Sequence, residues 1–109
     1  FPIWWSAEPA ILKGFIDRTF TPRFAYRFAD GKSEAKLTGK TAALILTSRA
    51  SALIYRLFGG PVTRWKHMIL GFVVIRLTDT FILGKIDHPQ DNPTYRAEFV
   101  EKVRRYARR

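Results

Sequence analysis

The run Thr41-Ala42-Ala43-Leu44-Ile45-Leu46-Thr47, followed at once by Ser48-Arg49-Ala50-Ser51, decides the fold. Its apolar residues do not alternate with polar ones, so neither face is set aside for water. A short unbroken apolar run of this kind fits a central strand buried on both faces, as parallel strands are. The Ser-containing tetrapeptide behind it reads as the loop at the strand's carboxyl end. Downstream, Leu53 to Phe58 is apolar with Tyr55 and Arg56 inside it, and Gly59-Gly60-Pro61 breaks the chain. Val62, Trp65, Ile69 and Leu70 mark one face of a helix that Gly71 is expected to stop. Phe72 to Leu83 is β-rich but interrupted by Arg76 and Asp79, which predicts one wet face or one wet end.

Asn92-Pro93 is a helix start, with Tyr95, Phe99, Val103 and Tyr106 as the buried stripe behind it. Glu98 with Lys102, and Glu101 with Arg105, stand at ion-pairing distance along that helix. Upstream, Ile11, Leu12, Phe15, Ile16, Thr19 and Phe20 recur at helical spacing, with Ser6 as the expected N-cap and Pro9 in the first turn. Lys13 and Asp17 can pair on the outer face, and Thr21-Pro22 ends the helix. Arg23 to Lys40 is a long connection, first aromatic and then polar through Asp30-Gly31-Lys32-Ser33; Asp-Gly signals a turn. Strands alternating with helices predict an α/β domain with a parallel sheet and right-handed crossovers.

Composition limits the function. The 109 residues suit a single domain, and 19 Lys+Arg against 9 Asp+Glu give a formal charge of +10. Much of the excess lies in Lys102, Arg104, Arg105, Arg108 and Arg109, where cations complement a helix C-terminus. The absence of cysteine excludes disulfides, thiolate zinc sites and cysteine nucleophiles. His67 and His88 lie in no metal-ligand spacing, so no metal is expected. Aromatic and basic residues do not interleave as nucleic-acid binding would require. The apolar run Met68 to Ile75 is far shorter than the roughly 18 residues of a membrane span. A cytoplasmic protein without membrane insertion is expected.

Trp4 and Trp5 are adjacent, so on an extended segment their rings point to opposite faces. Two readings stay open: a core aromatic pair, which the residues alone favour, or at least one ring bordering the ligand crevice at the strand ends of an open α/β sheet, where a flat ring suits a flat ligand.

Pro2-x-Trp4-Trp5-x-x-x-Pro9-Ala10-x-Leu12-Lys13-Gly14-x-x-Asp17-Arg18, then Phe24-Ala25-Tyr26, Tyr55-Arg56 with Gly59, and Leu70-Gly71-Phe72 resemble the flavodoxin-like NAD(P)H:quinone oxidoreductases, the DT-diaphorase family. The resemblance implies an open parallel sheet in three α/β/α layers, working as a homodimer. It also implies FMN or FAD at the strand ends, NAD(P)H as electron donor, and two-electron ping-pong transfer to a quinone or related acceptor. Carried onto this chain, Pro2, Ile3, Trp4 and Trp5 border the flavin ring, and Thr47, Ser48, Arg49 and Ala50 meet its polar end. Tyr55 supports the reduced flavin, and Tyr26 and Phe28 line the substrate pocket.

The sequence departs from the family pattern in three ways. Ser48-Arg49-Ala50-Ser51 replaces a glycine-rich loop, and no histidine stands near Gly60-Pro61 to partner Tyr55. The family's first strand, phosphate loop and next strands would precede Pro2, so residues 1–109 are expected to form the C-terminal part of one flavodoxin-like domain truncated at its N-terminus. The expected consequences are a bare edge on the Thr41–Thr47 strand and a flavin affinity lower by orders of magnitude without the phosphate loop. Either a longer parent carries the function, or this chain pairs with another. The alternative is a non-enzymatic flavodoxin-like interaction module of the ancillary-subunit type.

Overall fold

The computed structural model describes all of residues 1–109. The Thr41–Thr47 run is strand β3, and it lies parallel to β4 (Arg76–Leu83) with Thr41 opposite Arg76 and Thr47 opposite Leu83. Here β1 and β2 denote the hairpin strands Tyr26–Ala29 and Lys32–Ala35. Parallel neighbours need a crossover. Helix α2 (Ala52–Phe58), a short α3 (Pro61–Arg64) and a π-helix (Trp65–Leu70) supply it. The register slips between Ala42 and Ala43, which leaves Thr78 as a bulge whose hydroxyl donates to the Ala42 carbonyl at 2.9 Å.

The other edge of β3 is partly covered. Phe1–Ile3 runs parallel beside its carboxyl end: Phe1 N donates to Ile45 O (2.7 Å), Thr47 N to Phe1 O (3.1 Å) and Ile3 N to Thr47 O (2.8 Å). The expected bare edge is therefore confined to the amino-terminal half of β3.

Helices cover both faces of the pair, which makes the architecture α/β/α. Leu44 and Leu46 pack with Ile3, Trp65 and Leu70, and Leu12 and Ile16 of α1 (Ala10–Thr19) close the same side. On the opposite face Phe81 lies under α4 (Pro93–Ala107), its ring 5.2 Å from that of Tyr106. The stripe read on α4 is the half-buried one. Asn92 caps it, accepting from Tyr95 N at 2.9 Å, and Pro93 fills the first helical position.

Five local expectations need correction. The long connection holds the β1–β2 hairpin, whose two turn residues, Asp30 and Gly31, both have positive φ (52° and 74°). That geometry matches the twist of the strands and is what Asp-Gly favours. Ser6 does not cap α1; Pro9 precedes it without a side-chain cap. The helix over Val62–Leu70 changes to π geometry at Trp65. Trp65 and Leu70 are both buried although five residues apart, and an i→i+5 turn brings such a pair to one face. The strand begins at Arg76, not Phe72, because residues 71–74 turn and Val74 takes a positive φ of 59°. Finally, Glu101 pairs with Arg104 at 2.9 Å rather than with Arg105, and Lys102 lies 5.8 Å from the centre of the Phe81 ring. The Lys13–Asp17 pair forms as expected, at 2.6 Å.

Candidate functional site

Three loops meet at the carboxyl ends of the parallel strands. A cleft of about 210 Å³ opens there, lined by Pro2, Ile3, Trp4, Thr47, Ser48, Arg49, Ile86 and Asp87.

The first loop is a strained turn. Trp4 N donates to Ala7 O and Ala7 N to Trp4 O, both at 2.9 Å, which closes a two-residue turn at Trp5-Ser6. Trp5 and Ser6 both have positive φ, 50° and 59°. Asn-Gly adopts such angles readily, whereas bulky residues hold them at a cost of about 1–3 kcal/mol each. Glu8 anchors this turn. Its side chain is only 2% exposed, forms an ion pair with Arg64, and accepts from the Trp65 indole N–H at 3.0 Å. The strain leaves the Trp5 indole wholly in solvent and Trp4 60% exposed beside the cleft.

The second loop follows β3. Ser48 is buried; its N–H donates to Leu83 O at 2.9 Å and its carbonyl accepts from Ile86 N at 3.1 Å. Its hydroxyl accepts from Ala50 N and donates to the Tyr55 oxygen, both at 3.0 Å. The Tyr55 proton is thereby free to point elsewhere. Neither the Arg49 N–H nor its guanidinium, nor the Trp5 N–H, bonds to any group of the chain.

The third loop follows β4. Lys85 N donates to Ala50 O at 3.1 Å, which ties the second and third loops together. Gly84 permits this contact, since a Cβ there would stand 2.5 Å from Ala52 N and 2.8 Å from Ala50 O. Arg96 holds the loop's far end through two bonds to Asp91, at 2.6 and 2.7 Å, and Asp91 also accepts from Asp87 N at 2.9 Å. Those bonds, Arg96 first, bring the Asp91 pKa from 3.8 down to about 2. A depressed carboxylate contributes stability that is complete above its unfolded pKa and is lost as pH falls through the folded one. The Asp87–Asp91 loop is therefore expected to keep its amide protection at pH 5 and lose it between about pH 4 and pH 2. Asp91→Asn should remove that acid transition from the loop's hydrogen exchange.

Of the residues singled out in the sequence, Pro2, Ile3, Trp4, Thr47, Ser48 and Arg49 share the cleft lining. Trp5 stands on the adjoining turn, Ala50 lies behind Ser48, and Tyr55 joins through the Ser48 hydroxyl. Tyr26 and Phe28 are not brought to the cleft within this chain. They lie on β1, and Tyr26 lines a separate cavity of about 230 Å³ with Phe20, Met68 and Phe72. Gly84, Ile86 and Asp87 were missed. The available signal was positional, since loops after adjacent parallel strands must lie side by side.

The donor set suits a flat group with an electron-rich end. It combines an indole wall, unspent backbone N–H groups and a free guanidinium, with Asp87 as the one carboxylate in the lining.

Residues 1–107 match the family described by the flavodoxin-like fold. The chain belongs to that flavodoxin-like family. The crystal structure of Smu.1420 from Streptococcus mutans UA159 superposes with a TM-score of 0.80 at 36% identity, over 99% of this chain and 56% of that one. The FMN-dependent NADH:quinone oxidoreductase 2 of Listeria innocua is 31% identical over 98% of this chain and 50% of its own length. The NAD(P)H dehydrogenase [quinone] 1 of Cavia porcellus is 41% identical over 54% of this chain and 22% of its own. This flavodoxin-like chain thus spans between about a fifth and a half of the length of the curated relatives it matches. No helix in it is long and apolar enough to cross a membrane.

Proposed function

We propose that this chain carries the strand-end half of the active site of an NAD(P)H:quinone oxidoreductase, with FMN or FAD as its cofactor. The flavin, when bound, supplies the two-electron redox chemistry, alternately toward NAD(P)H and toward a quinone or related acceptor. The observation that carries this reading is the cleft at the carboxyl ends of two parallel strands, walled by Trp4 and edged by the unpaired Arg49. The names of the relatives in Listeria innocua and Cavia porcellus point to the same chemistry.

The chain's own residues divide the work. Trp4 gives the ring an apolar face and shields one side from water. The N–H groups of Trp5 and Arg49, with the Arg49 guanidinium, stabilise negative charge at the ring's polar end. Ser48 fixes the Tyr55 oxygen, so that the Tyr55 O–H can hold a proton toward the site. The whole enzyme is read as a cytoplasmic homodimer. Exposed apolar residues such as Ile11 and Phe15 on α1, and Leu57 and Phe58 on α2, support association.

The test is NAD(P)H oxidation with excess FMN and a soluble benzoquinone. Quinone-dependent turnover above that of free FMN is expected, reduced about ten- to a hundredfold in Arg49→Ala through loss of charge-assisted hydrogen bonding. Turnover equal to free FMN, or indifferent to Arg49→Ala, would contradict the reading.

A further inference from the structure

Tyr55 also lines a second cavity, of about 270 Å³, outside the cleft. Around it stand Arg56 from α2, Thr63 from α3, Lys66 and His67 from the π-helix, and Thr80 from β4, over an aliphatic floor. No carboxylate belongs to the lining. The side chains of Arg56, Lys66 and His67 make no hydrogen bond or ion pair within the chain, and the hydroxyls of Thr63 and Thr80 are equally unspent.

Glu8 takes Arg64 and Asp17 takes Lys13, whereas no carboxylate pairs with Arg56, Lys66 or His67. A solvated basic helix face would draw its charges from one element. These come from two, converge on one concavity with hydroxyls from two more, and have nothing to neutralise them. The π-helix contributes to this arrangement. Its wide turn buries Trp65 and Leu70 together and leaves Lys66 and His67 exposed beside β4, and π-turns cluster at functional sites. A planar guanidinium, a compact ammonium, an imidazole and hydroxyl donors form a set suited to a tetrahedral oxyanion. The volume lies just under the roughly 300–1,000 Å³ of small-molecule sites, which favours a small group.

By contrast, the basic cavity under the end of α4, lined by Lys102, Arg105 and Arg109, includes Asp79 and sits where the helix dipole already accounts for cations.

We propose that the Arg56–Lys66–His67 cavity binds a phosphate group, held either as free inorganic phosphate or on a nucleotide. The site stands whether or not the cleft takes a flavin. The test is a two-dimensional amide NMR titration of the 109-residue chain with inorganic phosphate at constant ionic strength. Saturable shifts are expected at Thr63, Lys66, His67 and Thr80. The double variant Arg56→Gln/Lys66→Gln should weaken binding about ten- to a hundredfold, whereas Lys102→Gln/Arg105→Gln should leave it unchanged. Both pairs are exposed, and unaltered Leu46 and Val73 methyl signals would show the fold intact. ADP competing at the same residues more tightly than phosphate would assign the group to a nucleotide; weaker competition would assign it to the free ion. The proposal is overturned if the shifts fail to saturate, if chloride reproduces them at matched ionic strength, or if the Lys102/Arg105 variant weakens them as much as the Arg56/Lys66 variant.

Discussion

Gly84→Ala is expected to lose about 3 kcal/mol of stability, the upper end of what overpacking costs, and to abolish ligand binding in the cleft. The added Cβ would meet Ala52 N at 2.5 Å and Ala50 O at 2.8 Å. Both are backbone atoms, so no side chain can swing aside. The two loops must then part, breaking Lys85 N to Ala50 O and Ile86 N to Ser48 O, which together bind the floor of the cleft. Tyr95, whose hydroxyl donates to Gly84 O at 3.1 Å, would lose its hold on the same turn. The check is a urea transition followed by circular dichroism, with a lowered midpoint and unchanged slope. A wild-type midpoint would mean that the loops do not depend on this close approach.

Glu8→Ala should cost about 2–3 kcal/mol by a different route. Removing the carboxylate strands the buried Trp65 N–H, and an unsatisfied buried donor costs roughly 1–3 kcal/mol. Arg64 is 36% exposed and recovers some solvation, so the loss stays below the roughly 3–5 kcal/mol of breaking a fully buried pair. The strained Trp5-Ser6 turn lies one residue before Glu8, with Ala7 between, and it should relax once its anchor goes. Tryptophan fluorescence would register both the lost Trp65 contact and the freed Trp4. Burial raises the Glu8 pKa, but hydrogen bonds from its own backbone and from Trp65, with the charge of Arg64, outweigh burial and hold it below 4.5. The pair's contribution is therefore complete above pH 4.5 and lost as pH falls below it. Glu8→Ala should flatten that part of the acid-unfolding curve.

The legible parts of the fold were those with strong local signals. The unbroken TAALILT run, the Asn92-Pro93 start and the α4 stripe each depend on nearby residues alone. The hairpin escaped because its strands, YRFA and KSEA, are short and largely exposed, and only Asp30-Gly31 marked the turn between them. The π-helix escaped because Trp65 and Ile69 fit an ordinary helical face, while the five-residue step to Leu70 is resolved only by packing. Six of the eight residues that line the cleft could be named, from Pro2–Trp4 and Thr47–Arg49. The loop after β4 carries no chemical motif and acquires meaning only from lying next to Ser48. Nothing local marks Glu8, because its partners Arg64 and Trp65 come to it from 56 and 57 positions away.

On the proposed function, the turn carrying the two exposed indoles and the loop after β3 together receive a flavin ring. The direct measurement is an FMN titration of isotope-labelled protein, read at assigned indole and amide N–H signals. Saturable shifts are expected at the Trp4 and Trp5 indoles and at the Thr47–Ala50 amides, with the Trp65 indole, tied to Glu8, unmoved. FMN that shifts Trp65 as much as Trp4, or that leaves residues 47–50 in place while perturbing other surfaces, would contradict it.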